Sequence, residues 1–187
     1  MTTDIFKSRE RAFEAVYFAK VDAELIDKIH KKRERDTDRA LLALATGISD
    51  DDLLQEILEL GVTTSTLEAL SLAPLVCVAW GNGSLDQEES AAAIKAATSE
   101  GLEKDSPSFQ LFERWLSRKP DESLMTTWRE YIRSLMEHLD ENGCNTIRQD
   151  LKQRAEAIAR TTGGVLGVGS ISSGERAVLR KIEEALA

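Results

Sequence analysis

The chain has 187 residues, 30% of them charged, and a formal net charge of −9. That length suffices for one compact domain, or a domain with a helical extension, and for a core that needs no disulfides. The acidic balance disfavours nucleic acid and anionic membrane surfaces as partners, because both need a positive footprint.

Residues 4–35 carry Phe6, Phe13, Val16, Tyr17, Val21, Leu25 and Ile29, mostly three or four apart, and predict a long helix with one apolar stripe. The stripe weakens into the charged stretch Lys31 to Asp36, and a second helix is expected from Asp38 to Ala45, ended by Gly47. Ser49 is placed to cap a short helix running to Leu60, with Asp50, Asp51 and Asp52 offsetting the helix dipole in its first turn. Ser65 and Glu68 have capping-box spacing. Pro74 lies inside the helix they open, so a kink or break is expected near Ala73.

The next helix is expected from Asp86 to about Ser99, stopped by Gly101. Ser106-Pro107 opens another, with Phe109, Phe112, Trp115 and Leu116 on its apolar face and Lys119-Pro120 at its end. Residues 121–139 and 145–160 are amphipathic, the first through Leu124, Trp128, Ile132, Leu135 and Leu139, the second through Ile147, Leu151, Ala155 and Ile158. The last helix spans Ser172 to Leu186. No run of alternating β-branched residues exists, so the fold class is all-α, a helical bundle of about seven to nine helices.

One local pattern occurs twice. Gly81-Asn82-Gly83-Ser84-Leu85-Asp86, with Glu89 after it, matches Gly167-Val168-Gly169-Ser170-Ile171-Ser172, with Glu175 after it. Each copy is a glycine turn, one aliphatic residue and the opening of a helix with capping-box spacing. The repeat predicts two pseudo-repeated helix-loop-helix halves, residues 66–99 and 145–187, related by an approximate two-fold. It also predicts that Leu85 and Ile171 are both buried and close together.

Set against the EF-hand pattern with Gly83 as its glycine, the early ligand positions fall on Val78 and Trp80, which offer no carboxylate. Asn82, Asp86, Glu88 and Glu89 survive as oxygen donors for a weak divalent cation. The plainer reading is that Asp86 and Glu89 cap a helix and do nothing else. The second loop has a single carboxylate and is not expected to hold a metal. Gly164 to Ser170 resembles a phosphate loop only until its missing lysine is noticed. His30 and His138 lack any nucleophile partner and read as surface residues, the three tryptophans read as core, and no cofactor or catalytic site is expected.

The residues from Leu72 to Glu89 resemble the segment "PLVxVAWADGxxDxxE" of TerB-like (tellurite-resistance-associated) helical domains. Residues 163–175 resemble the loop and final helix start of the same family. The likeness covers about residues 62–187, which divides the chain into a 1–61 helical extension and a 62–187 TerB-like domain. It implies a non-enzymatic, acidic, metal- or partner-binding module linked to stress responses. Where the family has Ala-Asp-Gly this chain has Gly81-Asn82-Gly83, one acid fewer. Residues 6–25, from Phe6-Lys7-Ser8-Arg9-Glu10 through Ala12-Phe13-Glu14 to Asp22 and Leu25, also look like the opening of the F-type ATPase inhibitor subunit of α-proteobacteria.

Met1 to Arg11 hold no apolar stretch of signal-peptide type, and the longest apolar run, Ala73 to Trp80, is too short to cross a bilayer. Cys77, in an apolar run, reads as a core thiol, and Cys144 as a partly exposed one, too distant from it for a CxxC motif. A cytoplasmic protein is expected, with no membrane span. Its function reads as a non-enzymatic helical binding or adaptor module of the TerB-like type, stress-associated and with a protein partner. The alternative is a divalent-cation-responsive regulator using the 81–89 loop. The apolar stripe at 6–29 is too large to stay bare. It is expected to pack on the domain, against the nearby apolar residues Ile48, Leu53 and Ile57, rather than on another chain.

Overall fold

The computed structural model describes residues 2–162 and 173–186, and within them the side chains of residues 20, 23–151, 153 and 173–185. Nine α-helices and no strand occur among the described residues. They are α1 (Thr2–Thr46), α2 (Asp51–Glu59), α3 (Leu67–Ser71), α4 (Ala73–Ala79), α5 (Gln87–Ser99), α6 (Pro107–Ser117), α7 (Ser123–Glu137), α8 (Glu141–Thr162) and α9 (Ser173–Leu186). The all-α bundle expected from periodicity is the architecture observed.

The bundle is built around α4. Its seven residues, Ala-Pro-Leu-Val-Cys-Val-Ala, carry no charge, and a helix apolar on every side has to be enclosed. It packs against α3, α5, α6, α7, α8 and α9. Six of its residues are buried, and Cys77 is half-buried. The break expected at Pro74 is present: α3 ends at Ser71, and the proline sits in the first turn of α4, where its missing N–H costs nothing. Trp128 and Phe112 are completely enclosed and fill the largest volumes near this centre. The Trp128 indole N–H is buried without an acceptor.

Amphipathic stripes supply the surrounding wall. Phe109, Phe112, Trp115 and Leu116 are buried on α6, and Leu124, Trp128 and Ile132 on α7. Leu135 packs against the core more loosely. Leu139, expected on the same face, lies beyond the end of α7 and is 42% exposed. Among the described residues the hydrophobic core begins at Leu42 and takes in Ile48, Leu53, Leu54 and Ile57, upstream of the 61/62 boundary suggested by the resemblance.

The two halves of the repeat pack reciprocally. α4 with α5 and α8 with α9 each form a hairpin, and α4 also lies on α9 while α5 lies on α8. Exchanging the hairpins preserves those contacts, as an approximate two-fold requires.

Three local expectations are corrected. The charged stretch 31–36 does not interrupt the first helix, and α1 runs on through it to Thr46. A solvated helix tolerates such residues, and Lys31 reaches back one turn to Asp27 at 2.7 Å. The cap of α2 is Asp50, not Ser49, with Asp50 Oδ1 accepting from the amides of Asp52 (3.0 Å) and Leu53 (3.1 Å). Ser65 and Glu68 form no capping box. The residue before α3 is Thr66, whose hydroxyl accepts from the Thr63 amide at 2.8 Å instead of capping the helix.

Candidate functional site

The 81–89 loop joins α4 to α5, and its first anchor is Trp80. The indole Nε1 of Trp80 donates to the Trp115 carbonyl on α6 at 3.1 Å, which pins the end of α4. Gly83 then closes a tight turn, its amide donating to the Trp80 carbonyl at 2.9 Å with φ at +90°, a conformation that favours glycine. Leu85 is half-buried against the core, less enclosed than the repeat suggests, because the loop runs along the surface. Ile171 and the glycine turn of the second copy lie outside the described residues, as do the phosphate-loop-like residues 164–170.

The four oxygen donors singled out from sequence are disposed as follows. Asp86 is the N-cap of α5, and its carboxylate accepts from the Glu89 amide at 2.8 Å. Glu89 answers by accepting from the Asp86 amide at 3.0 Å, completing the capping box. Asn82 turns its amide nitrogen to Glu89 Oε1 (3.3 Å) and its oxygen to the Ser84 amide (3.0 Å). A cation ligand would present oxygen, yet here Asn82 offers Glu89 a donor. Glu88 is exposed in the first turn of α5. The set is thus arranged to tie a loop to a helix start rather than to surround an ion. Among the described residues, no three acidic, histidine or cysteine side chains gather as a metal would need.

The structure adds a contact that the sequence did not flag. Gly81, at the head of the first loop, meets Gly174 and Glu175 in the first turn of α9. A methyl group on Gly81 would sit 2.9 Å from the Glu175 amide nitrogen, and one on Gly174 would collide with the Gly81 carbonyl. The first loop therefore lies backbone to backbone against the helix start of the second copy. The signal was a glycine one residue into a helix, a costly choice unless something must approach closely.

The remaining candidates are quiet. Burial pushes the Cys77 thiol up to about 12, with the Lys181 ammonium pulling weakly the other way, so the sulfur stays protonated and unreactive near neutral pH. Cys144 is half-buried and donates to the Met136 carbonyl at 3.2 Å. It lines an open groove of about 400 Å³ with Arg133, Glu137, Arg148 and Glu184, whose opposite charges favour neither anion nor cation. His30 is exposed, and His138 is exposed with Nδ1 2.7 Å from the Ser134 carbonyl. Of the acidic triplet, Asp50 caps α2, while Asp51 lies 3.7 Å from Arg39 of α1.

The α1 arm departs furthest from expectation. The described part of the stripe does not fold back on the domain. Leu25 and Ile26 are each 55% exposed and Ile29 47%, and among the described residues the main packing partner of α1 is α2. Ile48, Leu53 and Ile57, the expected cover, are already buried in the core and have no face left to offer. The side chains of Phe6, Phe13, Val16, Tyr17 and Val21 lie outside the described residues.

Comparison of the chain with protein-family models, with curated proteins and with solved structures finds no match in any of the three. No helix among the described residues is long and apolar enough to cross a membrane.

Proposed function

We propose that this chain is a non-enzymatic helical binding module of the TerB-like type, with α1 as its contact surface and a protein as its partner. The observation that carries the reading is the exposed apolar trio Leu25, Ile26 and Ile29 on a helix that leaves the body uncovered. Three large aliphatic side chains within two turns are a surface that water disfavours and a partner would cover. The likeness of residues 72–89 to TerB-like domains adds a stress-associated, cytoplasmic setting. A photo-crosslinking amino acid at Ile29, introduced in the native host, should give a discrete protein adduct. Its absence, with an adduct formed instead from an exposed body position such as Glu113, would remove α1 from this role.

The cation-responsive reading has its own measurement. Because Asp86 and Glu89 are engaged in capping, calcium, magnesium, manganese and zinc should leave the melting temperature unmoved. An ion at a hundred times its dissociation constant would instead add about 2.7 kcal/mol, and such a rise would make residues 81–89 an ion site.

A further inference from the structure

Three asparagines occur in the chain, and two of them precede a glycine, as Asn82-Gly83 and Asn142-Gly143. An asparagine before glycine is unusually reactive toward its own backbone. With no Cβ in the way, the glycine nitrogen can close on the side-chain carbonyl carbon as a five-membered ring. The two pairs share that chemistry and differ in what the fold does to them.

Asn142 and Gly143 lie in the first turn of α8. The Gly143 amide donates to Asp140 Oδ1 at 2.8 Å, a bond strengthened by the acceptor's charge. The glycine is half-buried, and a methyl group on it would sit 3.1 Å from Leu139 Cβ. Ring closure there requires the helix start to unwind and the carboxylate to release the nitrogen. Asn82 and Gly83 lie in the loop between α4 and α5, and both are exposed. Among the described residues, no group beyond the chain neighbours of Gly83 comes within 4 Å of a methyl placed on it. Its amide is held by a neutral acceptor, the Trp80 carbonyl at 2.9 Å, and the Asn82 side chain by exposed contacts to Ser84 and Glu89. Opening one turn frees both reacting groups while the helices stay in place, and such local openings cost far less than unfolding.

We propose that Asn82 is a site of spontaneous deamidation, and that its conversion to an acid loosens the start of α5. The Gly83 nitrogen gives its proton to solvent base and attacks Asn82 Cγ. A new N–Cγ bond forms, the Cγ–Nδ2 bond breaks, and Nδ2 takes a proton and leaves as ammonia. Water then opens the ring. Attack at Cγ leaves aspartate in the ordinary chain, and attack at the backbone carbonyl leaves isoaspartate, with the chain running through the former side chain. One water is consumed, one ammonia is released, and nothing is oxidised or reduced.

Either product replaces an amide by a carboxylate. Asn82 Nδ2 stands 3.3 Å from Glu89 Oε1. In the aspartyl product the oxygen that takes its place sets like charge against like charge. Glu89 is also the residue that accepts from the Asp86 amide at 3.0 Å in the capping box. The isoaspartyl product adds a backbone atom between Gly81, which lies against Gly174, and the turn at Gly83. The change does not reverse by itself, so converted chains accumulate with time.

The inference rests on the 81–89 loop and not on α1 being a contact surface. The pure full-length chain would be held folded at mildly alkaline pH, digested at intervals, and its peptides weighed by mass spectrometry. Asn82 should convert about fivefold faster than Asn142, the cost of giving up a helix cap. Enzymatic methylation of isoaspartate should mark the same peptide. In urea, where only the Asn-Gly sequence acts, the two rates should converge. Asn82→Asp should lower the melting temperature by about 2–4 °C, the loss expected for a weakened cap. Asn142 converting as fast as Asn82 in the folded chain, the same ratio persisting in urea, or Asn82 staying intact while the unfolded chain converts would overturn the site. An unchanged melting temperature for Asn82→Asp would overturn its effect on α5.

Discussion

α4 is a short helix enclosed by its neighbours, and α1 is the longest helix among the described residues. α4 has seven residues, no charge, and neighbours on every side. α1 has 45 residues, many of them charged, and its described side chains from residue 23 to 37 are all exposed. A seven-residue peptide is well below the length at which an isolated helix persists in water. α4 therefore exists because the body encloses it, and the apolar area it removes from water maintains it. α1 is long enough to hold its own hydrogen bonds, so it can extend without support. The difference separates residues that stabilise the fold from residues that stay in water.

The sharpest test of that contrast is a pair of equal truncations. Leu75→Ala, in buried α4, should cost about 2–5 kcal/mol, while Leu44→Ala, on the exposed face of α1, should stay within about 0.5 kcal/mol. In a chain of this size each kcal/mol lowers the melting temperature by about 2–4 °C, so thermal melts separate the two easily. Equal losses would mean that α1 is as much a part of the core as α4.

Gly174→Ala comes next. The added methyl meets the Gly81 carbonyl, and a backbone group cannot step aside as a side chain can. A loss of about 1–3 kcal/mol is expected, as for overpacking, and urea titration would measure it. A neutral result would show that the first loop and α9 can separate freely.

A smaller effect follows from pH. Cys77 keeps its proton up to about 12 in the folded chain, against an ordinary value of 9.0. Above pH 9 the unfolded state therefore binds fewer protons than the folded one, and stability falls as pH rises from 9 toward 12. Burial raises the Tyr131 phenol too, adding a loss of the same sign from pH 10 upward. Urea melts at pH 8 and pH 10.5 should show the fall, and Cys77→Ala should flatten part of it. An unchanged slope in that variant would place the thiol outside the apolar interior.

The smallest effect expected is from removing residues 1–35. Among the described residues the core starts at Leu42, and the Arg39–Asp51 contact remains, so the melting temperature of dilute protein should move by no more than about 2 °C. A larger fall, with new dye-binding surface, would show that the arm covers the body after all.

Reading the sequence succeeded where the physics is local. Asp86 and Glu89 form their capping box, Ser106 accepts from the Phe109 amide at 3.0 Å, and Pro74 marks the start of a new helix. Each depends on residues within one turn. It slipped at Asp50 and Thr66, where adjacent residues could each serve a helix start. At α2 the register is settled by which of Leu53, Leu54 and Ile57 must face the core. It failed over the arm because periodicity shows that a stripe exists and not what lies opposite it. The capping role of Asp86 and Glu89 was legible. The donor that Asn82 turns toward Glu89 was not, since an amide gives no sign of its direction until its neighbours are in place.

The amino-acid order alone determined an all-α chain, most of its helix boundaries, and two hairpins built on one pattern. Those properties follow from spacing, caps and glycine turns, which act over a few residues. Only the tertiary structure decided that α4 stands at the centre, that Gly174 meets Gly81, and that Leu25, Ile26 and Ile29 stay in water. Burial is a property of the whole packed surface. The helices that follow the arm in sequence spend their apolar faces on the core, so Leu25, Ile26 and Ile29 find no cover there.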